Sequence, residues 1–331
     1  MDKIKKFWAH YKSYIFLVII ILLALKVFVP ELDSLKESVQ AIRNAQLDWI
    51  IFGQIVFFLG LPIVAYQFLV IAIKPLKYYL TFKVEMASLF VSKLFPSSLG
   101  TVALNFYYLT KKKHDNVQAA TVMAVNGITS GIAYVFIIGF AVFFDKGNLT
   151  TPTSPTTTID WALIIKIVVL AIVAAVASLA IKRVRQRVSA VIKQFAQTLK
   201  VYEHRKKDVV MATFLNFAGS LTSLIALWAS AHALGVEITM AQSLVAYVLG
   251  NIVGGLVPTP GGIGAVEAGI YSGLVLIGVD TGQAFTITLI YRFLTYWVPI
   301  APGYYYFWSL RKDVLKDFSL KRKDAAKLAN S

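Results

Sequence analysis

The chain contains no cysteine. Disulfides, thiolate metal sites and cysteine nucleophiles are therefore excluded. Charge is also scarce: 15% of the 331 residues are Asp, Glu, Lys or Arg, where a soluble domain carries about a quarter. Carboxylates are the scarcer sign, 17 against 33 basic residues, and there are four histidines. No metal-ligand spacing and no nucleophile motif can be found among them. Pro260-Gly261-Gly262-Ile263-Gly264 is rich in glycine, but it lacks the preceding strand and the Lys-Ser/Thr of a phosphate loop. The sequence therefore predicts no metal, no cofactor and no enzymatic reaction.

What fills the space is apolar. Hydrophobic residues make up 57% of the chain and mean hydropathy is +0.67. The apolar residues fall in long runs, several reaching the ~20 residues that cross ~30 Å of hydrocarbon. The predicted fold is an all-α polytopic membrane protein, with residues 1–331 forming a single membrane domain.

The net charge of +16 could suggest a nucleic-acid partner, but its distribution argues otherwise. Four Lys lie in 1–13, three in 74–84, three in 111–113, nine Lys/Arg in 182–207 and seven in 311–331. These 26 of 33 basic residues each flank a hydrophobic run. Such alternation is the positive-inside pattern, which orients a chain in the bilayer. Nucleic-acid binding would instead need one continuous basic face. The pattern predicts a cell (plasma or inner) membrane protein with cytosolic N- and C-termini, whose basic segments meet anionic lipid headgroups. The apolar run 14–29 follows a basic start but no small-residue cleavage site, so it is read as a retained first span.

The chain reads as about six full spans: 14–29, 48–73, 117–144, 161–181, 208–234 and 283–308. An amphipathic surface helix is expected over 31–47 and a basic cytosolic one over 182–207. Two further apolar stretches are broken. In 84–109 the interruption is Pro96-Ser97-Ser98-Leu99-Gly100. About eleven residues precede it, or ~17 Å of helix, and both flanks are basic. A re-entrant hairpin from the cytosolic side follows. In 240–279 the interruption holds Pro258, Pro260, Gly261, Gly262 and Gly264, which will not stay helical. The charge parity makes this a second re-entrant hairpin, entering from the outside. Both breaks contain Pro-x-x-x-Gly (Pro96/Gly100 and Pro258/Gly262), as an inverted repeat with a site at the midplane would.

Ionisable groups at that depth need a reason. Glu267 follows the second break closely, and Arg292 lies roughly 14 Å into the last span by helical rise. They are predicted to be near enough to pair. The pair has a purely structural reading, a lock between hairpin and last helix. It also has a functional one, in which Arg292 receives an anionic headgroup and Glu267 orients or releases it; a guanidinium suits phosphate. Lys93, three residues before the first break, is either a second cation for that anion or a side chain snorkelling to the interface. Glu85 is expected near the boundary and solvated. Helix N-termini near Ser98 and Ile263 would aim N–H groups into the same cavity.

The run LVPTPGGIGAVE at 256–267 and the segment YRFLTYWVP at 291–299 resemble the lysylphosphatidylglycerol synthetase transmembrane-region family of flippase-like domains, over nearly the whole chain. The resemblance implies translocation of lipids or lipid-linked precursors, with Glu267 and Arg292 as matched polar residues. Relatives often carry an acidic residue just after the glycine of the first hairpin, an Arg about four positions on, and an Asp-Arg pair in the third span. Here those positions hold Thr101, Asn105 and Asn126-Gly127, which leaves the substrate open. Only about 21 residues follow Leu310, so no soluble aminoacyl-transfer domain and no lysyl-lipid synthesis are expected. The functional expectation is movement of an anionic phospholipid or a polyprenyl-phosphate type of lipid between leaflets. A small-anion secondary transporter and a non-transporting scaffold or accessory subunit are the rivals. A homo-oligomer is left open.

Overall fold

In a computed structural model, residues 43–95, 99–144, 200–257 and 259–313 are described. The expected spans 14–29 and 161–181, the tail at 1–13, most of the helix over 31–47, most of the tail at 311–331, most of 182–207, Pro96 and Pro258 lie outside them. The described residues form these helices: α1 (Leu47–Ile71), α2 (Tyr78–Leu94), α3 (Leu99–Lys111), α4 (Asn116–Phe144), α5 (Lys206–His232), α6 (Met240–Leu256), α7 (Ala265–Leu276), α8 (Thr281–Arg292), a π turn (Phe293–Trp297) and α9 (Ile300–Asp313). Four stretches are long and apolar enough to cross a bilayer: Leu47–Ile71, Asn116–Gly139, Lys206–His232 and Thr281–Leu310. Their outward faces are hydrophobic, with Ile55 and Leu59 on α1, Val135 and Phe136 on α4 and Phe214 on α5 all exposed.

The turns sort by charge into two ends. At one end the amide of Lys74 donates to His114 Nε2 (3.0 Å) and the Lys74 ammonium to the Lys113 carbonyl. Arg205 holds the C-terminus of α1, donating to the carbonyls of Ala72 and Val70 at 2.8 Å each. A cation there complements the carbonyl end of the helix dipole. At the other end Gln46 N–H donates to Ala233 O (2.8 Å), and Trp49 packs edge-on against Trp228. Residues 233–280 contain no Lys or Arg.

His114 makes the basic end sensitive to acid. It is 3% exposed, and burial holds its imidazole below the usual 6.5. Protonation would also remove the acceptor that Lys74 N–H uses. The unfolded chain takes up that proton at a higher pH than the folded one, so stability falls as pH drops from about 6.5 towards the lowered value. Thermal unfolding in detergent should show a lower midpoint at pH 5.5 than at pH 7.5, with a smaller difference in His114→Gln. Equal differences in the two proteins would contradict this.

The helices α2/α3 and α6/α7 are antiparallel pairs, one opening at each end. In the first pair, Thr81 Oγ1 meets Tyr108 Oη (2.8 Å) near the basic end, and a Cβ on Gly100 would lie 2.5 Å from Val91 O near the tip. In the second, Ala246, Gly250 and Gly254 face Gly273, Gly269 and Val266, so close that a Cβ on Gly269 would lie 2.6 Å from Leu249 O. Small residues at four-residue spacing let two backbones approach where apolar side chains gain nothing over lipid. The first leg of the first pair starts at Tyr78, earlier than the expected 84. With 17 residues it is about 25 Å long, well beyond the expected ~17 Å. The reason is that its early polar residues find partners. Thr81 satisfies itself on Lys77 O (3.1 Å), and Lys83 reaches Ser309 of α9 (3.2 Å), so neither polar residue stops the helix.

Candidate functional site

The two breaks meet. Gly261 N–H donates to Phe95 O across 3.1 Å, joining the tip of the second pair to that of the first. Gly261, Gly262 and Gly264 have φ of 60°, 72° and 80°, a region that side chains other than glycine's adopt only at a cost. Gly261 has a second reason to be glycine: a Cβ would sit 2.8 Å from the Tyr296 ring and 3.1 Å from Lys93 Cα. Pro260 opens this turn, and Gly262 N–H closes onto Thr259 O (3.0 Å).

Arg292 ends α8 and reaches this junction. Its Nε donates to Glu267 Oε1 at 2.7 Å, and its side chain is 8% exposed, that of Glu267 13%. Its Nη2 points at Gly261 O, 3.4 Å away. The guanidinium carbon lies 4.4 Å from the centre of the Tyr296 ring, and Lys93 Nζ lies 4.2 Å from the same centre. Tyr296 is 3% exposed. Two cations thus share one aromatic ring, with a single carboxylate between them, and the carboxylate is committed to Arg292. Among the described residues Lys93 makes no ion pair. Among the described residues nothing hydrogen-bonds Glu267 Oε2 or Thr259 Oγ1, both of them buried.

The π turn aims these side chains. Val298 N–H bonds to Phe293 O, and Pro299 has no N–H to offer Leu294 O in the same register. Gln54 of α1 supplies one instead, donating to Leu294 O at 3.2 Å. The wider turn rotates Tyr296 relative to an unbroken helix, beside Arg292 and Lys93. A single π turn of this kind often sits at a functional site.

The structure brings together Lys93, Gly261, Glu267 and Arg292 of the residues singled out by sequence. Gly100 packs within the first pair, against Val91, and Gly262 against Val266. Ile263, near the start of α7, is 47% exposed, and Ser98 lies outside the described residues. Glu85 is a correction: it is 7% exposed, not solvated, because the early start of α2 carries it inside the helix pair. Asn105 hydrogen-bonds with it. Tyr296, Thr259 and Gln54 were not singled out. Tyr296 follows Arg292 by four residues, a spacing that puts two side chains on one helix face and could have flagged it.

The sequence profile described as the lysylphosphatidylglycerol synthase TM region matches residues 14–303. A UPF0104 membrane protein of Methanocaldococcus jannaschii is 20% identical over 235 residues, which is 69% of this chain and 97% of that protein. With the apolar helices, these matches make the chain a multi-pass membrane protein.

Proposed function

Because this chain belongs to the lysylphosphatidylglycerol synthase transmembrane-region family, we propose that it is a flippase-like carrier, moving an anionic phospholipid or a lipid-linked precursor between leaflets. In this reading α2/α3 and α6/α7 are re-entrant hairpins from opposite faces, and their tips form the mid-depth site. The basic end faces the cytosol of a cell membrane, with both termini there. Irregular backbone at such depth is tolerated where it is buried in protein or lines a cavity.

The observation that supports this most is the charge at the junction. Among the described residues Lys93 and Arg292 bring two positive charges to the junction and Glu267 one negative, an excess of one positive charge that suits an anion. An anionic phosphate would meet the Lys93 ammonium and the free edge of the Arg292 guanidinium, both donor-rich and suited to phosphate oxygens. Its acyl or prenyl chains would stay in the lipid beside the exposed apolar faces. The chain carries out no reaction of its own in this account; it offers a route and a resting place.

Lys93→Gln tests the reading with little risk to the fold, since Lys93 holds no ion pair. The probe is dithionite quenching of labelled monoanionic and zwitterionic phospholipids in vesicles containing the full chain. Lys93→Gln is expected to slow exchange of the anionic lipid about tenfold, the loss of one charge-assisted contact of ~1.5 kcal/mol. Its unfolding midpoint should stay within a few degrees of wild type. Equal exchange rates in the variant and wild type would remove Lys93 from the site. Inhibition by inorganic phosphate would favour a small-anion transporter instead.

A further inference from the structure

A second buried acid stands apart from the junction, and among the described residues it has no cation. Glu85 of α2 is 7% exposed and Asn105 of α3, its hydrogen-bond partner, 2%. Glu85 Oε1 and Asn105 Oδ1 are both buried without a partner. Among the described residues neither Lys nor Arg pairs with Glu85. The neighbouring hydroxyls are spent: Ser88 Oγ donates to Val84 O (3.0 Å), and Thr81 Oγ1 bonds to Lys77 O and Tyr108 Oη.

The elements packed on α2 bring little else that titrates. From α3, Tyr108 faces Glu85. From α9, Tyr306 and Tyr304 pack on the rings of Phe82 and Phe90. Tyr66 of α1 is exposed. On α2 itself, Lys83 reaches Ser309 and Lys93 the Tyr296 ring. An ionised carboxylate enclosed in this way, with no cation, is costly. A proton on Oε1 removes the charge and supplies one O–H donor where two acceptors lack one.

We propose that Glu85 is an intramembrane proton-binding site that takes up a proton as an anionic headgroup enters the junction and releases it as the headgroup leaves. The coupling rests on the transport reading above; the proton site does not. The chemistry is one O–H bond, formed at Oε1 with a proton from the water on one face and broken with its release to the other. Glu85 lies eight residues before Lys93, about 12 Å along the helix. At that distance, and an effective dielectric of about 20, its negative charge weakens binding of a monoanion at Lys93 about tenfold. Proton and anion therefore favour each other's binding, and one proton moving with one monoanionic headgroup carries no net charge across.

Two measurements on the full chain in phosphatidylcholine vesicles test this. Infrared difference spectra between pH 5 and pH 9 should contain a protonated-carboxyl C=O band that Glu85→Gln abolishes. A wild-type spectrum without that band, or one unchanged by the variant, would overturn the proton site. Should Glu85→Gln fail to fold, Glu85→Asp is expected to keep the band and shift its midpoint. In exchange assays with a labelled monoanionic phospholipid, a tenfold proton gradient should speed wild-type exchange in the direction of proton entry about tenfold and leave Glu85→Gln unaffected. Indifference of wild type to the gradient, or a response to a sodium gradient in its place, would refute the coupling. If wild type exchanges no lipid under any gradient, the transport reading and the coupling fall together, and the infrared band alone decides whether Glu85 binds a proton.

Discussion

Glu267→Gln is expected to destabilise the protein by about 3–5 kcal/mol, the cost of leaving a buried charge without its partner. The substitution keeps the shape and one acceptor oxygen but removes the charge that balances Arg292. The guanidinium, 8% exposed and 2.7 Å from the carboxylate, would keep a neutral acceptor, the Tyr296 ring and the long contact to Gly261 O, none of which balances its charge. Lys93 beside the same ring worsens the imbalance. Arg292→Gln should cost a similar amount, because Glu267 is then the uncompensated charge. The double variant should recover most of the loss, since neither half of the pair is then left charged without the other. Unfolding midpoints of the four proteins form a double-mutant cycle with a coupling of several kcal/mol. Additive losses in the double variant would show that the two groups do not depend on each other.

Gly273→Ala should cost on the order of 3 kcal/mol, the upper part of the range for overpacking. The added methyl would lie 2.4 Å from Ala246 Cα and 3.0 Å from Ala246 N. Both are backbone atoms in the middle of a helix, so α6 and α7 must separate along their length. That movement is transmitted to the turn that presents Gly261 and Glu267. Gly255→Ala is the matched control: nothing lies within 4 Å of its added carbon, and the better helix propensity of alanine should leave stability unchanged or slightly raised. Comparable losses from both substitutions would mean that helix approach is not what Gly273 provides.

The full-length helices were legible because a hydrophobic run with charged ends has few alternatives. The expected 48–73 is found as Leu47–Ile71 and the expected 208–234 as Lys206–His232. The breaks were legible from proline and glycine, whose backbone limits are local. The start of α2 was not, because Thr81 and Lys83 look like the end of an apolar run when their tertiary partners, Tyr108 and Ser309, are unknown. The same error moved Glu85 outward and hid its enclosure. Helical rise was enough to place Glu267 and Arg292 at similar depths. The contact between Phe95 and Gly261 joins residues far apart in the chain, and no periodicity reports such a meeting. Asn105 stood out in the sequence as a missing arginine; its partnership with Glu85 is a property of the folded pair.

If the junction of the two helix pairs passes an anionic lipid headgroup, leaflet exchange must depend on its charged pair. Leaflet exchange in vesicles of matched protein content tests it most directly, with wild type set against the Glu267→Gln/Arg292→Gln double variant, which is expected to fold. Wild type is expected to exchange labelled anionic lipid well above protein-free vesicles and faster than zwitterionic lipid, and the double variant to fall close to the protein-free rate. Equal exchange by the two proteins, or none by a well-folded wild type for any phospholipid or polyprenyl phosphate, would contradict it.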